Sequence, residues 1–66
     1  MDTSIANSIL AVVVTRAQQN KVSAGGAPLF ICDSREELEE VTMLLARLTM
    51  SMVHDLRNGV YILIKH

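Results

Sequence analysis

The stretch SILAVVVTRAQQNKV, residues 8–22, decides the fold. Three consecutive valines and a threonine favour a strand, because side chains branched at Cβ pack well on a pleated surface. The alanines, the glutamines and the spacing of the larger apolar residues favour a helix. Read as a helix, the segment places Ile5, Ile9, Val12, Val13 and Ala17 on one stripe, with Asp2, Thr3 or Ser4 as N-cap. Read as a strand over residues 9–15, it becomes a third strand joined to the next by the loop QQNKVSAGGA. Branched residues cost a helix only tenths of a kcal/mol each, so propensity does not separate the two. The stripe from Ile5 to Ala17 is longer than a typical strand, which selects the helix and leaves the strand as the alternative. Residues 22–27, with Gly25-Gly26, form a flexible connection in either case.

The following stretch, APLFICDSREELEEV, reads as strand, sharp turn and helix. Pro28 can open a strand but cannot sit inside a central one. Leu29 to Cys32 are a short apolar run suited to a strand covered on both faces. Ser34 and Glu37 then stand three apart, the spacing at which a serine oxygen accepts from the backbone of the first turn while a glutamate reaches back to the serine N–H. Asp33 is the alternative cap. Glu36 and Glu37 suit the positive end of the helix dipole. The inner stripe of this helix is Leu38, Val41, Leu45, Leu48 and Met52, with Leu44 beside it. The helix is expected from Arg35 to a point between Met52 and Arg57, closed by Asn58-Gly59.

The last segment, GVYILIKH, reads as a strand over residues 60–65, with apolar residues on both faces. The expected class is therefore α+β, with a small α/β fold as a variant. The expected order is helix–strand–helix–strand, with a βαβ unit over residues 28–65 completed by homo-oligomerisation. The alternative order is ββαβ. Residues 1–66 form one small domain in either case.

Composition sets the function classes. Half of the 66 residues are apolar, yet there is one Phe, one Tyr and no Trp. A chain this short has much surface for its volume, and with a single cysteine it can form no internal disulfide. The usual remedies are then a metal or a partner subunit. Cys32, His54 and His66 show no metal-cage spacing, so no metal and no cofactor are expected, and self-association is. The net charge is −1, and the six Lys and Arg residues are scattered. No basic stripe or stacking aromatics point to nucleic acid. No apolar run approaches the ~20 residues of a membrane span. Met1-Asp2 lacks the basic start of a secretory segment, which makes the cytoplasm the expected compartment.

Few residues could carry chemistry. Asp33 and Ser34 lie where a strand hands over to a helix, a common ligand position, although capping alone accounts for both. Cys32 with His66 could form a thiol–imidazole pair, but a cysteine in an apolar strand usually acts as a small hydrophobe. HDLRNG is the densest polar cluster of the C-terminal half. His54, Asp55, Arg57 and Asn58 are therefore the first choice for a small-molecule site formed between subunits, with an ordinary loop as the plainer reading. Met43 and Met50, two helical turns apart on a face away from the main stripe, are candidates for an adaptable interface. The leading function is that of a small cytoplasmic interaction or regulatory protein acting as a homo-oligomer, and possible partners include another protein. The alternative is a small enzyme or ligand-binding protein at the shared site.

Overall fold

A computed structural model describes residues 9–22 and 26–65. It shows an α+β fold with one α-helix and a mixed four-stranded sheet. The elements run β1 (Ile9–Thr15), a 3-10 helix (Arg16–Lys21), β2 (Leu29–Cys32), α1 (Arg35–Thr49), β3 (Met52–Asp55) and β4 (Val60–Ile64). The order across the sheet is β2-β1-β4-β3. β1 is parallel to β2 and antiparallel to β4, and β4 is antiparallel to β3.

The first segment corrects the helix expectation. Its valines form a strand, and its Ala-Gln-Gln portion forms the short 3-10 helix. Both halves of the conflicting signal are thus real but belong to successive elements. β1 is central, with neighbours on both sides, and Val13 and Val14 on its opposite faces are both fully buried. A run of consecutive apolar residues is what such a position requires. The ββα start matches the alternative order, and β3 is an additional strand. The cap candidates Asp2, Thr3 and Ser4 and the stripe residue Ile5 lie outside the described residues.

α1 begins as expected and ends early. Ser34 is its N-cap, and Ser34 Oγ accepts from the Glu37 N–H at 3.1 Å. Glu37 Oε1 accepts from the N–H of Asp33 at 2.7 Å, one residue before the serine. At the other end Met50 takes the left-handed conformation with φ 53°, and its N–H turns back to the carbonyls of Ala46 and Arg47. Thr49 Oγ1 donates to the Leu45 carbonyl at 2.7 Å and is paired with the Ser51 hydroxyl. The chain then reverses into β3. Asn58-Gly59 closes a β3–β4 hairpin and not the helix, a role in which Asn-Gly is equally at home.

The shorter helix changes the inner stripe. Leu38 and Thr42 are buried, and Val41, Leu45 and Ala46 are half-buried against the sheet. Leu48 is 79% exposed, and Met52 belongs to β3. The expected steps of three and four drift away from the line that faces the sheet, where positions 38, 42, 45 and 46 fall. The core under α1 is Ala11, Val13, Cys32, Leu38 and Leu63. The strands flanking α1 are not neighbours: β2 and β3 are opposite edges, and the helix crosses the sheet between them.

Candidate functional site

β1, β2 and β3 run in the same direction, so their C-terminal ends meet at one end of the sheet, where β4 begins. This topology gathers Asp33, Ser34, Asp55, Arg57 and Asn58 at that end, together with Arg16 and Lys21 of the 3-10 helix. Arg16 Nε donates to Asp33 Oδ1 at 3.0 Å, with both side chains largely exposed. Lys21 Nζ donates to the Asn58 carbonyl at 3.2 Å. Neither basic residue carries a sequence signal for these roles, because their partners are distant in the chain.

The hydrogen bonds at this end build turns. Asp55 Oδ1 accepts from the Arg57 N–H at 2.7 Å, and Asn58 Oδ1 accepts from the Val60 N–H at 3.2 Å. Arg57 itself is left-handed, with φ 63°. Gly59 has φ 90°, and a Cβ there would come within 2.6 Å of the Gln18 side chain. Hairpin and 3-10 helix are therefore closely seated on one another. His54 and Asp55 are successive strand residues and turn to opposite faces. His54 is paired across the sheet with Ile62, and Asp55 with Tyr61.

Cys32 is buried, and its thiol is pushed above the ordinary value by burial first, then by the negative charges of Glu37 and Asp33. It is protonated at neutral pH, a poor state for a nucleophile. His66 lies outside the described residues. Among those residues, no group of three or more His, Cys, Asp or Glu is placed to hold a metal ion. No helix among them is long and apolar enough to cross a membrane.

The larger feature is apolar. Strand pairing assigns Val12, Val14, Leu29, Ile31, Val60, Ile62, Ile64 and Met52, with the exposed His54 at the β3 edge, to the face turned away from α1. At the end near the 3-10 helix, Val14 and Val60 are buried. Elsewhere Leu29, Ile31 and Met52 are 38%, 39% and 52% exposed. Val12, Ile62 and Ile64 between them are half-buried. Contiguous exposed apolar surface of this kind commonly marks a binding site. Met43 is exposed on α1, and Met50 stands beyond the helix as its C-cap, so the two do not form one helical face.

Known proteins complete the picture. The family model described as "Capping complex subunit for YIEGIA" matches residues 6–66. A protein of Bacillus subtilis (strain 168), named "Uncharacterized protein YpzH", is 35% identical over 66 residues, covering all of this chain and 98% of the relative. No solved structure matches the chain. The chain belongs to the family of capping complex subunits for YIEGIA.

Proposed function

We propose that the chain is a small interaction protein, a subunit of a capping complex that docks onto a YIEGIA protein through the open face of its sheet. The exposed aliphatic face carries this reading: Leu29, Ile31 and Met52 stand free on the side that α1 leaves uncovered. Burying such side chains is favourable by roughly 25 cal/mol per Å² of apolar surface removed from water, and their own fold does not remove it. The family description supports the same role. A regulatory action would follow from occupancy of the partner. The cytoplasm is the proposed compartment.

Co-expression of the chain with a YIEGIA protein from the same genome tests the proposal. The two are expected to co-purify as a defined complex. Met52→Lys with Ile64→Lys should abolish co-purification while the circular dichroism spectrum is retained, since lysine ammonium groups would be desolvated at the contact. Failure of the wild-type chain to co-purify overturns the assignment of partner. Survival of the complex in the folded double variant overturns the assignment of surface.

A further inference from the structure

We propose that the outer side of α1 packs antiparallel against the same side of α1 in a second copy of the chain. The inference is independent of the docking partner, because this surface and the open sheet face lie on opposite sides of the molecule. Leu38, Thr42 and Leu45 set the line of α1 that meets the sheet. At 3.6 residues per turn, Glu40, Met43, Leu44 and Arg47 fall on the opposite line, with Leu48 at its margin. A helix that covers a core normally turns polar residues to this side. Here Met43, Leu44 and Leu48 are exposed on it, and no described segment packs over them.

The charges around that apolar centre define what fits it. Glu40 lies one turn before Leu44, and Arg47 lies one turn after Met43. Both side chains are exposed, and neither belongs to an ion pair among the described residues, where the pairs are Arg16–Asp33 and Arg35–Glu39. A matching surface therefore offers a cation beside Glu40, apolar side chains beside Met43 and Leu44, and an anion beside Arg47. Reversed in direction, α1 is such a surface, because Glu40 precedes the midpoint between Met43 and Leu44 by as much as Arg47 follows it. A two-fold axis level with that midpoint and perpendicular to the helices brings Met43 of each copy level with Leu44 of the other. Glu40 of each copy is then level with Arg47 of the other, and two ion pairs flank the four apolar side chains. The same patch serves on both copies, as a two-fold interface requires. A parallel pair instead sets Glu40 against Glu40 and Arg47 against Arg47. This self-complementary order of charge selects a second copy as the occupant and fixes the direction in which it lies.

Sedimentation equilibrium of the wild-type chain at micromolar concentration is expected to show a dimer. Leu44→Glu brings a charge from each copy into the apolar centre, and it should weaken association by about tenfold or more while the circular dichroism spectrum is retained. Glu40→Arg and Arg47→Glu should each weaken the dimer, since either one turns both ion pairs into like-charge contacts. Glu40→Arg with Arg47→Glu in one chain should restore it, because the pairs form again with their signs exchanged. The Leu44→Glu readout holds even where the double reversal folds poorly. A wild-type chain that stays monomeric overturns the proposal, and loss of co-purification with a YIEGIA protein in Leu44→Glu would then give this face to that partner. A dimer that persists in folded Leu44→Glu also overturns it, as does a folded double reversal that associates no better than the single variants. The Met52→Lys, Ile64→Lys variant should still dimerise, which keeps this test separate from that of the docking face.

Discussion

The two faces of the sheet differ in what covers them more than in what they are made of. Under α1, Ala11, Val13, Cys32 and Leu63 meet Leu38 and are buried. On the reverse, Val12, Ile31, Ile62 and Met52 are just as aliphatic, and part of that surface stays in contact with water. Aliphatic content alone therefore does not distinguish a core from a contact surface in so small a chain. Among the described residues the distinction comes from α1, which covers one face, while the other is buried at the end that holds Val14 and Val60 and open elsewhere.

Substitutions on the two faces should separate these roles. Leu38→Ala removes a fully buried side chain from the covered face and is expected to destabilise the chain by about 2–5 kcal/mol, measured by denaturant unfolding at fixed protein concentration. A loss as small as that of a surface substitution would mean that α1 is not the lid of the core. A smaller effect of opposite sign is expected at Thr42. Its hydroxyl is buried without a hydrogen-bond partner, so Thr42→Val keeps the shape and should raise stability by about 1 kcal/mol. A loss of stability there would show that the hydroxyl is satisfied. The smallest effect belongs to the open face. Met52→Ala should change the stability of the isolated chain by no more than ~0.5 kcal/mol, as at other exposed positions. A larger loss in the monomer would make the open face a second core and remove the contrast.

Legibility in the sequence followed the range of each interaction. The Ser34–Glu37 cap was readable because its atoms are three residues apart, and the structure moves only the glutamate's backbone partner, from Ser34 to Asp33. β2 and β4 were readable as apolar runs. β3 was not: Met52–Asp55 is a strand through its pairing with β4, while its residues suit the end of an amphipathic helix equally well. HDLRNG stood out as a polar cluster, but the structure shows Asp55 and Asn58 engaged with the backbone of the hairpin. The open face was signalled only as an excess of aliphatic residues, without a location.

Composition and local spacing were enough to set the class as α+β, the start of α1 and the surplus of apolar surface. The tertiary structure decided that residues 9–15 are a strand, that α1 stops at Thr49, and that the uncovered face lies opposite the helix. Local preferences between helix and strand differ by only tenths of a kcal/mol per residue. A central strand flanked by β2 and β4 gains backbone pairing on both sides, and Val13 and Val14 are fully buried on its two faces. Those non-local gains outweigh the local preference, and they arise only once distant segments have been brought together.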